Sequence, residues 1–92
     1  IDAHAHVGGE GDGIPAGRSW ILEANLAFGV TTVHDPSNDL EMVFANSEMI
    51  RAGLKLGPRL YSTGRILYGA ETNFKAQVDS YEDALSSLRR LK

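Results

Sequence analysis

The chain has no cysteine in its 92 residues, which excludes both a disulfide frame and a thiolate metal site. Redox compartment stays open, since a Cys-free chain suits cytoplasm and periplasm alike. No apolar run approaches the ~18 residues of a membrane span, and no signal-peptide pattern is visible. Charge of one sign is scarce too: 9 Lys and Arg stand against 12 Asp and Glu, for a net charge of −3. That balance speaks against nucleic acid or an anionic membrane as partner, because both call for clustered Lys and Arg. Arg89, Arg90 and Lys92 do cluster, but on a predicted helix that also carries Glu82 and Asp83, and they read as a solvated face.

What is present is the composition of an ordinary soluble globular chain, long enough for one small domain at most. Residues 1–7 read as a first strand, followed by the flexible loop Gly8-Gly9-Glu10-Gly11-Asp12-Gly13. Ser19 is the expected N-cap of a first helix whose inner face would be Trp20, Ile21, Ala24, Ala27 and Phe28, with Gly29 ending it. The β-branched run Val30-Thr31-Thr32-Val33 is a second strand that stops at His34-Asp35-Pro36.

Asn38 or Asp39 would cap a second helix, with Leu40, Val43, Phe44, Ser47, Ile50 and Leu54 inward and Gly53 or Gly57 closing it. A third strand runs from Arg59 to Thr63 and ends at Gly64. Residues 65–79 read as a loop. Ser80, with Asp83 three residues on, starts a third helix with the stripe Tyr81, Ala84, Leu85, Leu88 and Leu91. The order β-α-β-α-β-α calls for parallel strands joined by helical crossovers.

The chemistry concentrates in Ile1-Asp2-Ala3-His4-Ala5-His6. Alternate residues of a strand share a side, so Asp2, His4 and His6 are expected on one face and Ile1, Ala3 and Ala5 on the other. Two imidazoles two positions apart at a strand end can each aim a nitrogen at one divalent cation. Burying both rings in a core would instead require every nitrogen to be satisfied. The ligand reading is preferred on that ground.

The glycine-rich loop lacks the Gly-Lys-Ser/Thr ending of a phosphate-binding loop and carries Glu10 and Asp12, which repel phosphate. In parallel α/β folds the loops after strand C-termini build the active site, and this loop is placed for that. His34 stands at the end of the second strand on the same rim as His6. It is open to three roles: third ligand, substrate contact, or a histidine bonded locally to Asp35, the last being preferred. Arg65 and Tyr68 lie beyond the third strand on that rim, where they could hold a substrate carboxylate or carbonyl. Exposed loop residues without such a role are as common. Ser62 and Thr63 have no His–acid partner at a diagnostic spacing, so a serine hydrolase is unsupported.

Three segments together resemble one family. The Ile1–His6 motif is similar to the first strand of the amidohydrolase superfamily of metal-dependent hydrolases. Gly29-Val30-Thr31-Thr32-Val33 with Asp35-Pro36 resembles its second strand, and Gly57-Pro58-Arg59 with Ser62-Thr63-Gly64-Arg65 its third. The likeness is greatest to the imidazolonepropionase-like and prolidase-like branch, which includes members fused to tricorn-type β-propeller repeats. It implies a (β/α)8 barrel, of which residues 1–92 would be the first three βα units, cut at both ends. It also implies one or two divalent ions, zinc foremost, with His4 and His6 as ligands and Asp2 as a supporting residue below them. In the family a carboxylated lysine or glutamate, two further histidines and an aspartate acting as base come from later strands. The general base is therefore expected beyond residue 92, and Lys92 is not the carboxylated lysine.

The activity implied is hydrolysis of an amide: a cyclic amide or imide, or the bond of a small peptide. With two imidazoles, half a usual zinc shell or less, this stretch alone is expected to bind metal weakly and to catalyse nothing measurable. It is also expected to self-associate through exposed barrel edges. The rival readings are a metal-dependent phosphoesterase of the PHP or TatD type, which also opens with an H-x-H strand, and a non-catalytic α/β interaction module with structural histidines.

Overall fold

A computed structural model describes residues 1–7, 13–71 and 75–91. Five residues of the expected glycine-rich loop, Gly8 to Asp12, and Lys92 lie outside the described residues. The architecture is mixed α/β, with three helices and short parallel strand pairs. Helix α1 (Trp20–Ala27) leads into strand β1 (Thr32–Asp35), helix α2 (Leu40–Arg51) and strand β2 (Arg59–Ser62). β1 and β2 pair in parallel with Val33 opposite Leu60 and Asp35 opposite Ser62, so β1-α2-β2 is a crossover unit of the expected kind. Two-residue strands β3 (Leu67–Tyr68) and β4 (Ala76–Gln77) form a second parallel pair inside the stretch expected to be loop. Helix α3 (Tyr81–Leu91) follows. Among the described residues no helix is long and apolar enough to cross a membrane.

Helix boundaries follow from capping chemistry. Asp39 accepts the Met42 N–H at 3.0 Å and caps α2, while Ser80 and Asp83 engage each other at the head of α3 as expected. Gly29 adopts φ +83°, its N–H donating to the Leu26 carbonyl at 2.9 Å and that of Val30 to Asn25 at 2.8 Å. This is a Schellman closure, and it delivers the chain directly into β1. Gly53 closes α2 with the same bond pattern. Ser19 precedes α1 but makes no side-chain cap bond.

The core is built by Val7, Leu22, Val33, Val43 and Leu60, with Ala5, Ile21, Val30 and Ile50 against it. Fully burying one such aliphatic side chain is worth roughly 1.5–3 kcal/mol. The helix faces match those expected in part: Ile21, Val43 and Ile50 pack inward as expected, and other positions do not. In α1 the buried residue is Leu22, whereas Trp20 is 78% and Phe28 89% exposed. Apart from Glu23 and Asn25 every position of α1 is apolar, so periodicity had no polar face to exclude. In α2 the buried residues are Met42, Val43 and Asn46, while Leu40 and Phe44 are partly exposed and Leu54, beyond the helix, is exposed.

Asn46 is accommodated inside because its Oδ1 accepts from the buried Lys55 ammonium at 2.8 Å. Ser47 docks α2 on the sheet by donating to the Leu60 carbonyl at 2.7 Å. On α3 only Ala84 and Leu85 of the expected stripe are half-buried, and Tyr81, Leu88 and Leu91 are exposed.

Gly64 ends β2 with φ +73°, and a Cβ built there would lie 2.6 Å from Leu40 Cδ1. Leu40 is partly exposed and can move aside, so the backbone conformation dominates the cost. Gly64→Ala is expected to destabilise by about 1–2 kcal/mol in a urea titration. An unchanged midpoint would contradict the left-handed assignment.

Candidate metal centre

Residues 1–7 run alongside β1 but do not form the regular strand expected of them. A single parallel bridge joins Asp2 to Val33, with Asp2 N–H donating to Thr32 at 2.9 Å and His34 N–H to the Asp2 carbonyl at 2.9 Å. A regular ladder would next bring the His4 N–H to the His34 carbonyl. Instead Ala5 makes that bond, at 3.1 Å, and the His4 N–H turns into the Asp2 carboxylate at 3.0 Å. One extra residue is thus accommodated at a bend over Ala3 and His4, as in a bulge. The expectation of unbroken alternation from Asp2 to His6 is corrected: Asp2 supports the His4 backbone from within the bend.

Beyond the bend alternation resumes. Ala5 and Val7 face the core, and His4 and His6 face outward together, their ring centres 5.3 Å apart in an edge-to-face arrangement. The pairing of these two rings is as the spacing requires.

The residue that sequence reasoning missed is Asp35. Its side chain has no solvent exposure and ends β1 beneath His6. Oδ2 accepts from Val7 N–H at 3.0 Å and Asn38 Nδ2 at 2.7 Å. Oδ1 accepts from Ser37 N–H at 3.2 Å and lies 3.3 Å from His6 Nδ1, which is also 3.2 Å from the Ser37 carbonyl. The expected local bond between Asp35 and His34 is therefore corrected. The two residues are neighbours on a strand, so their side chains leave opposite faces, and the partner of Asp35 comes from 29 residues upstream. Strand alternation itself was the signal that could have excluded the local pair.

His34 lies in register with Tyr61 and lines an open groove with Arg59, Tyr61 and Ser62. Arg65 lines a different groove, with Thr63, Leu67 and Arg90. The Tyr68 ring lies under the Lys75 ammonium, 3.6 Å from its centre. Among the described residues no hydrogen bond, ion pair or ring contact joins His34, Arg65 or Tyr68 to His4 or His6. Nor, among those residues, does any group of three or more His, Asp or Glu stand ready to hold a metal. The structure brings together His4, His6, Asp2 and Asp35, and leaves the other candidates apart.

No protein-family model matches the chain, and no curated protein or solved structure matches it either.

Proposed function

We propose that the chain supplies the opening βα units of a (β/α)8 barrel of amidohydrolase type, and that His4 and His6 hold a divalent ion, zinc foremost, for hydrolysis of a carbon–nitrogen bond. The observation that carries this reading is the pair of outward-facing imidazoles with ring centres 5.3 Å apart. Two imidazoles on one tetrahedral zinc, each with a Zn–N bond of about 2.0–2.1 Å, place their ring centres roughly 5 Å apart. The ring-centre spacing is the one that half of a four-coordinate shell requires. The parallel β1-α2-β2 unit, with Asp2 bridged to β1 on the side away from β2, supports the strand order of such a barrel.

A divalent ion bound there would polarise a carbonyl and lower the pKa of bound water to about 7. The chain's own residues would hold the two ligands in place. Asp2 fixes the backbone at His4 through the 3.0 Å bond to its N–H, and Asp35 holds the other end of the motif through Val7 and His6. The substrate would be an amide: a cyclic amide or imide, or the bond of a small peptide.

The experiment is zinc titration of the protein and of its His4→Ala/His6→Ala variant, with hydrolysis of cyclic amides and dipeptides followed in parallel. One zinc per chain is expected, bound about 100-fold more weakly by the variant. Any amide hydrolysis should require zinc and disappear with the two rings. Zinc binding unaltered by the double substitution, or zinc-independent hydrolysis, would contradict the proposal.

A further inference from the structure

We infer that Asp35 is the positioning residue of the candidate metal centre: with the Ser37 carbonyl it keeps the proton of the neutral His6 ring on Nδ1 and so leaves Nε2 as the bare nitrogen. The use of that nitrogen by an ion rests on the metal reading above. The tautomer itself does not.

The inference follows from a donor and acceptor census. His6 Nδ1 faces two oxygens, Asp35 Oδ1 at 3.3 Å and the Ser37 carbonyl at 3.2 Å. A carbonyl can only accept. The Asp35 carboxyl serves as an acceptor throughout, with Val7 N–H, Ser37 N–H and Asn38 Nδ2 all donating into it. The orientation of the Asn38 amide is fixed, since its Oδ1 accepts the Asp39 N–H at 2.7 Å and only the NH2 is left to face Asp35. A lone pair on Nδ1 would therefore confront two acceptors, and a proton there meets both. In a neutral imidazole the other nitrogen is then unprotonated, the form a metal requires.

The carboxylate is anchored from three directions. Val7 ties it to the histidine motif, and Asn38 ties it to the start of α2, where Asp39 is the cap. Asn38 N–H in turn donates to the Gly64 carbonyl at the exit of β2. His4 has no comparable restraint: among the described residues its ring touches only that of His6. Among the described residues His6 is the member of the pair whose ring is held by polar contacts.

Asp35→Asn separates tautomer control from bulk. Two donors, Val7 N–H and Asn38 NH2, converge on the Oδ2 position, so the new amide should present its oxygen there. Its NH2 then occupies the Oδ1 position, so His6 Nδ1 faces a donor there against the one remaining acceptor, the Ser37 carbonyl, and the Ser37 N–H loses its partner. Long-range 1H–15N correlation spectra of the imidazoles, at about pH 8 where an ordinary His is neutral, read this directly. The wild type is expected to carry the His6 proton on Nδ1, and Asp35→Asn to shift the population toward Nε2, the Ser37 carbonyl still favouring Nδ1, while the His34 pattern stays as it was. Asp35→Glu should restore the Nδ1 proton in part. Zinc affinity is expected to fall about 10–100-fold in Asp35→Asn.

A wild-type His6 protonated on Nε2, or a folded Asp35→Asn chain with an unchanged tautomer, would overturn the inference. If that variant does not fold, the wild-type spectrum alone decides it. A proton on Nδ1 without zinc binding would uphold the role of Asp35 and remove the metal reading. Zinc binding with the opposite tautomer would do the reverse.

Discussion

Asp35→Ala is expected to lower stability by on the order of 3 kcal/mol or more, enough to leave much of a chain this small unfolded. The size follows from what the carboxylate satisfies. Removing it strands the Val7 N–H in the buried interior and takes the acceptor from Ser37 N–H and Asn38 Nδ2, both in part-buried bonds. A donor left buried and unpaired costs about 1–3 kcal/mol, and alanine supplies nothing in return. His6→Ala is the control. Its side chain is 59% exposed, so the loss should stay within about 1 kcal/mol. Urea unfolding of the two variants measures both. Equal losses, or a loss below about 1 kcal/mol for Asp35→Ala, would show that the carboxylate is not the hub described.

The second large effect is in α1. Leu22 is 1% exposed and is the one residue of this helix classed as buried, so Leu22→Ala should cost about 2–5 kcal/mol. Trp20→Ala removes more atoms, yet it should cost less than about 1 kcal/mol because most of that ring is already in water. The contrast decides between the observed helix orientation and the one expected from the Trp20-Ile21-Ala24-Ala27-Phe28 face. A Trp20→Ala loss exceeding that of Leu22→Ala would restore the latter.

These two cases also show which parts of the molecule were legible in the sequence. Punctuation was: Gly29, Asp39, Gly53, Gly64 and Ser80 each end or begin an element where their chemistry requires it. Helix orientation was not, because it depends on relations between distant residues. α1 offers almost no polar positions to orient it, and α2 buries Asn46 only because Lys55 meets it from nine residues further on.

The same division runs through the candidate centre. The two-residue spacing of His4 and His6 is a local property and does bring their rings together. The bend at Ala3–His4 is set by which residue of the first segment finds the His34 carbonyl, a pairing across some thirty positions. Strand alternation sends Asp35 away from His34 and onto the buried face with Val33; its contact with His6, from 29 residues upstream, is a tertiary relation that alternation does not give.

The central claim is that the His4 and His6 rings share one cation, and the most direct measurement is zinc titration of the chain followed on the imidazole nitrogens. Nε2 of His6 and one nitrogen of His4 should shift together along a single binding curve for one zinc per chain, with the His34 nitrogens unmoved. Titration of His34 alone, or of His4 and His6 at different zinc concentrations, would contradict it.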